Sequence, residues 1–234
     1  MDSALALRRK EAPATLSAIG RFGAFKPETE HPVREQEVKT DPALEMLKRA
    51  WKAKRRDFDP AASYPGMLEH IERIRGLEYS AKDIEAFSIT MAQFQDEEFF
   101  PNKAGFFLSA LINSCQDDRF IIHTKHLDRP IHSLGINNTK IILVKGDVGT
   151  SVGSTMTDGR ITVEGNADSM VGIYMKGGVI VIKGDAVSAS GDCVTWLGEY
   201  MTGGEIRVHG DYDLVSENII HGKIYHKRRL LIDK

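Results

Sequence analysis

Between Lys140 and Lys223 the chain repeats one short pattern four times, and no other feature constrains its fold as tightly. The copies read KIILVKGDVG from Lys140, GRITVEGNAD from Gly159, GVIVIKGDAV from Gly178 and GEIRVHGDYD from Gly204. Successive starts lie 19, 19 and 26 residues apart, and the register resumes at Lys223 after another 19. A fixed period of this length marks a repeat architecture. Two residues into each copy stand Ile142, Ile161, Ile180 and Ile206, and four residues in stand Val144, Val163, Ile182 and Val208. Leu143, Thr162, Val181 and Arg207 separate them, which is the alternation of a half-buried strand. Next come Gly146, Gly165, Gly184 and Gly210, each followed by Asp or Asn: Asp147, Asn166, Asp185 and Asp211. Glycine followed by a short side chain that bonds its own backbone is turn chemistry.

The second half of the repeat is as regular. Val152-Gly153, Val171-Gly172 and Leu197-Gly198 recur, with Met156, Met175 and Met201 three residues beyond each glycine and Ile220 in that register position in the last copy. Seven extra residues around Val187 to Cys193 account for the long third spacing. Identical side chains at identical offsets imply stacked coils whose strands pair in parallel, each apolar offset forming an internal ladder. The expected fold class is α+β: an N-terminal helical unit followed by a right-handed parallel β-helix of four to five coils. Its two ends expose unpaired strand edges that need covers. The helical unit and the charged tail His226-Lys227-Arg228-Arg229 are the candidates.

The preceding residues divide into an irregular arm, 1–40, and a helical unit, 41–116, with the β-helix occupying 117–234. Pro13, Gly20, Gly23, Pro27 and Pro32 punctuate the arm. Asp41-Pro42 is an N-cap followed by proline in the first turn. The helix it starts carries Leu44, Leu47, Trp51 and Phe58 on one stripe and a basic set, Lys48, Arg49, Lys52, Lys54, Arg55 and Arg56, on other faces. That set reads as a solvated face or a dock for an acidic partner or an anionic surface. Met67, Leu68, Ile71 and Ile74 predict a second helix ending near Gly76. Ser80 and Asp83 open a third, striped by Ile84, Phe87, Met91 and Phe94, and a fourth is predicted over Ala104 to Asn113. Adjacent Phe106 and Phe107 predict burial of the fourth on more than one side. From Arg119 the pattern turns strand-like, and Ile131 to Asn138 reads as a degenerate extra coil.

Composition narrows the function classes. A formal net charge of −2 gives no support for a nucleic-acid surface. No apolar run approaches the roughly 20 residues of a membrane span, and the N-terminus lacks a signal-peptide core, so a cytoplasmic location is expected. Cys115 and Cys193 form no CxxC. GDVGTSVGST from Gly146 looks like a phosphate loop but lacks the lysine, and its glycines recur in every coil. His123, His126 and His132 are a loose metal-ligand set whose first two members face opposite ways on an extended chain. Cys193, with His209 or His221 a coil away, lacks an orienting carboxylate or oxyanion pattern. No catalytic residue, metal ligand or cofactor-binding residue is assigned, and no cofactor is expected.

The pattern resembles the GXGXG family of right-handed β-helices. The family includes the domain that ends the large subunit of glutamate synthase and the C subunit of formylmethanofuran dehydrogenase. GRITVEGNADSMVGIYMKG (Gly159 to Gly177) and GEYMTGG (Gly198 to Gly204) carry the likeness. LDRPIHSLG (Leu127 to Gly135) and IIHGKIYHKRRLL (Ile219 to Leu231) are similar to the segments that flank the family's β-helix. The resemblance implies a scaffold that packs against separate catalytic domains. It implies a non-catalytic structural subunit of a glutamate-synthase-type amidotransferase/oxidoreductase complex, with glutaminase or flavin-domain subunits as partners. A stand-alone binding or self-association module and a subunit of a formylmethanofuran-dehydrogenase-like complex are the alternatives.

Overall fold

A computed structural model describes residues 41–53, 63–189 and 196–234. The arm 1–40, the basic residues Lys54, Arg55 and Arg56, Phe58, and Cys193 lie outside the described residues. Helices and coils together form one compact unit, Thr40–Lys234.

The helices start where local chemistry predicts. In α1 (Pro42–Lys52), Asp41 Oδ1 accepts the Ala43 N–H at 3.0 Å. Helix α2 spans Ser63–Ile74, and Gly76 follows at φ +77°. Helix α3 (Ala81–Thr90) opens with Asp83 Oδ2 accepting from both the Ser80 N–H and its hydroxyl at 2.7 Å. The third apolar stripe is broken between two elements: α3 ends at Thr90, and Met91–Phe94 continues as a 3-10 turn. All four stripe residues are still buried. Helix α4 (Phe100–Ser114) begins four residues before the predicted start, because Pro101 suits a first turn and Phe99 enters it in the left-handed region, φ 57°. Phe106 and Phe107 are both buried, one face of α4 against the helices and the other against the first coil. Trp51 centres the helical core, with Phe87, Phe94, Phe100 and Phe107 at ring distances of 5.3–6.2 Å.

The β-helix follows as a right-handed parallel solenoid of about five turns. Its main sheet contains β1 (Arg119–His123), β2 (Ile141–Lys145), β3 (Arg160–Val163), β4 (Val179–Ile182), β6 (Thr202–Val208) and β8 (His221–His226), all parallel. A shorter second ladder pairs β5 (Trp196–Leu197) with β7 (Leu214–Val215). The predicted register holds: Ile142, Ile161, Ile180 and Ile206 are direct partners, as are Val144, Val163, Ile182 and Val208. Ile131 to Asn138 completes the first coil, and Asn138 occupies the position held by methionine in the next three. Trp196 belongs to β5, not to the inserted residues.

Two expectations are corrected. The Asp and Asn after each coil glycine do not bond their own backbone. Asp147 Oδ1 accepts the N–H of Asn166, Asn166 Oδ1 that of Asp185, and Asp185 Oδ1 that of Asp211, at 2.6–2.8 Å, so the side chains tie coil to coil. Gly165, Gly184 and Gly210 are demanded by the side chain passing over each: a Cβ on Gly165 would lie 2.1 Å from Asp147 Oδ1. The apolar ladder also ends early, since Ile220 is 55% exposed and Ile219 is buried in its place. The glycine three residues before each methionine has φ near +70°, whereas Glu217 stands at that point in the last coil and the chain turns differently.

Both ends are covered. At the first coil, α4 presents a stripe with a spacing of four, Pro101, Gly105, Ser109 and Asn113, to the open backbone. The Pro101 carbonyl accepts the His132 N–H (3.0 Å), Ser109 Oγ the Gly135 N–H (2.9 Å), and Asn113 Nδ2 donates to the Ile136 carbonyl (2.9 Å). Ser88 Oγ of α3 accepts the His123 N–H at 3.0 Å, capping the edge of β1. At the other end His226 to Arg229 forms a turn, and β9 (Arg229–Asp233) folds back antiparallel onto β8.

Candidate functional site

The sequence candidates disperse in three dimensions. His123 Nε2 lies 2.9 Å from Glu85 Oε1 on α3, and His126 is exposed. His132 Nδ1 accepts the Thr150 N–H at 3.0 Å, and burial lowers the pKa of its ring while Asp168 opposes the shift. Among the described residues no group of three or more His, Cys, Asp or Glu side chains could hold a metal ion. Cys115 is buried behind α4, and burial pushes its thiol pKa up, away from the thiolate a nucleophile needs. His209 and His221 are both exposed. In the basic set, Lys48 pairs with Glu45 at 2.9 Å and Lys52 sits 5.7 Å over the Phe94 ring, leaving Arg49 exposed.

What the structure assembles instead is a surface. The turns of the second half-repeat place non-glycine residues in the left-handed region at two recurring offsets. The early coils fill these with small polar residues: Ser133 and Ser151 at one offset, Asn137 and Thr155 at the other. In later coils Met170 (φ 60°), Tyr174 (φ 55°) and Tyr200 (φ 53°) take the same places. They are exposed by 42%, 48% and 43%, and the two tyrosine rings stack at 5.2 Å. In the last coil Ile220 is exposed too, but it stands one residue past the methionine position that buried Ile219 fills, off the tyrosine offset. Left-handed backbone costs a residue with a Cβ about 1–2 kcal/mol. The tyrosines take on that strain without the return of burial. Glu199 beside them accepts from Asn218 Nδ2 at 2.8 Å and from the Ser216 hydroxyl, which stiffens the adjoining turn.

A second feature is a cleft of about 340 Å³ at the corner following the main-sheet strands, walled by residues 124–130 on one side and 187–189 on the other. No family model matches the chain, and no curated protein matches it. Sequence reasoning missed the aromatic face because Tyr174 and Tyr200 look like ordinary apolar positions until the coils are in register. Their replacement of asparagine and threonine at a turn offset was the available signal.

Proposed function

We propose that this protein is a non-catalytic β-helix scaffold subunit of a glutamate-synthase-type amidotransferase/oxidoreductase complex. Its docking face is the surface that carries the stacked pair Tyr174 and Tyr200, with exposed Met170 in the turn before Tyr174. The observation that carries the docking role is the exposed, stacked pair Tyr174 and Tyr200 held on strained backbone. Exposed aromatic anchors on a rigid support are the side chains that dominate protein interfaces. Backbone strain kept at a surface invites a functional explanation. The resemblance of Gly159 to Gly177 and Gly198 to Gly204 to the GXGXG repeat supports the choice of complex. The partners are then separate glutaminase or flavin-domain subunits.

Purification of the tagged protein from its own cells tests this reading. The expected result is co-purification with identified glutaminase-like or flavin-domain subunits, lost when Tyr174→Ser and Tyr200→Ser are combined. Recovery of the protein with neither class of subunit would overturn it. Self-association is the second reading, favoured by β9, which forms the outer strand of the main sheet with Leu230 43% exposed. Native mass spectrometry of the pure protein distinguishes it, through a homo-oligomer that forms without partners.

A further inference from the structure

The repeat is lengthened in two coils, and both lengthenings open at the same corner. Strand partners Arg119 and Ile141 are 141 − 119 = 22 residues apart, and Val179 and Glu205 are 205 − 179 = 26 apart, against 160 − 141 = 19 for Ile141 and Arg160. Extra residues before Ile131 and after Ala186 flank the bridge row Val148, Ala167 and Ala186. The cleft lies between these two insertions. Its floor is apolar, built from Leu127, Val148, Ala167 and Val187. Asp128, Asp147, Asp168 and Asp185 also line it, and Lys125 is the one cation among the described lining residues.

Three of the carboxylates are fixed in place. Asp147 and Asp185 each commit Oδ1 to the next coil, and Asp168 Oδ1 accepts the N–H groups of Ser169 (2.6 Å) and Ala189 (3.3 Å). Each carboxylate retains further acceptor capacity. Thr124 also lines the cleft; it is 4% exposed, and its hydroxyl has no hydrogen-bond partner among the described residues. A buried hydroxyl without a partner is a rare and costly feature in a folded protein, and a ligand that reaches it removes the cost.

We propose that this cleft binds an aliphatic ammonium group, an alkylamine that is either free or borne on a lysine side chain of another protein. The apolar floor takes the hydrocarbon, the fixed carboxylates take the charge, and Thr124 supplies one more polar contact. The cleft's volume is at the small end of ligand pockets, which run roughly 300–1,000 Å³. Anions are repelled by four aspartates, and a neutral apolar ligand would strip water from them without compensation. The site uses other offsets of the repeat than the tyrosine face, so it stands or falls apart from the docking proposal.

Isothermal titration calorimetry on the full chain tests it, with 1,5-diaminopentane, an N-acetyl, C-amidated Gly-Lys-Gly peptide, and 1-pentanol as the neutral control. The expected result is one saturable site for an amine and none for pentanol. Affinity falls at least tenfold in the double variant Asp128→Asn, Asp168→Asn and several-fold in Thr124→Val. Binding of the free amine assigns a small molecule, and binding of the peptide alone assigns a partner's lysine; both support the site. Absence of saturable amine binding, equal binding of pentanol, or an affinity unchanged by the aspartate variants would overturn it. Should the double variant fail to fold, Lys125→Glu at an exposed position decides: tighter amine binding supports the site, and unchanged affinity rejects it.

Discussion

Asp147, Asn166 and Asp185 show how single residues hold this solenoid together. Each lends one side-chain oxygen to the backbone of the coil above, and the glycine of that coil leaves room for it. Gly184→Ala would bring a Cβ within 2.2 Å of Asn166 Oδ1 and break one link, so a loss of about 2–3 kcal/mol is expected. Asp185→Ala orphans the Asp211 N–H at a milder cost of about 1–2 kcal/mol. Urea unfolding of the two variants checks both the size and the order. His70 governs a different response. It is buried with its ring edge-on to Phe107 at 5.4 Å, and burial, helped by Arg73 and Lys103, lowers its pKa to about 3. The unfolded chain therefore takes up this proton first as pH falls below the ordinary value near 6.5. Stability from this group is complete above that pH and declines by about 1.4 kcal/mol per pH unit down toward 3. Half-buried His132 adds a shift of the same sign. Between pH 7 and pH 5 His70 should cost about 2 kcal/mol, and His70→Phe should flatten that part of the urea-midpoint profile.

At the scale of elements, helix α4 closes the first coil by bonding the backbone of His132 to Ile136, where no further coil pairs. Its backbone approaches closely enough that a Cβ on Gly105 would meet the His132 carbonyl oxygen at 1.7 Å. Gly105→Val is expected to lift α4 from the coil, removing the contacts of Ser109 and Asn113 together. Hydrogen exchange should then show lost protection at His132 to Ile136, with β3 and β4 retaining theirs. Collapse of protection throughout the solenoid would instead mean that the cap and the coils unfold as one. The period and the strand register were legible because each coil repeats the same chemistry at the same offset. The α4 seam was not, because an apolar stripe is the usual guide to a helix face and this face is Pro, Gly, Ser and Asn. The aspartate links were hidden for another reason: donor and acceptor lie 19 residues apart, and a local reading of Gly-Asp finds only a turn. The cleft was half visible, since the 26-residue spacing stood out but the first coil was too degenerate to reveal its own three extra residues, 22 − 19 = 3.

In the unit Thr40–Lys234 the helices close one end of the stacked coils and a hairpin closes the other. Such a body suits a scaffold, because a parallel ladder fixes the spacing of side chains on its faces with little freedom to relax. Among the described residues no helix is long and apolar enough to cross a membrane. We propose that the face bearing Tyr174 and Tyr200 docks a catalytic subunit. Site-specific photo-crosslinking in the protein's own cells measures this most directly, with the crosslinker placed at Tyr174 and, as control, at exposed Lys183 on the main sheet. The expected result is a crosslink from Tyr174, and none from Lys183, to a glutaminase- or flavin-domain subunit. A Tyr174 crosslink only to a second copy of this chain, or none at all, would contradict it.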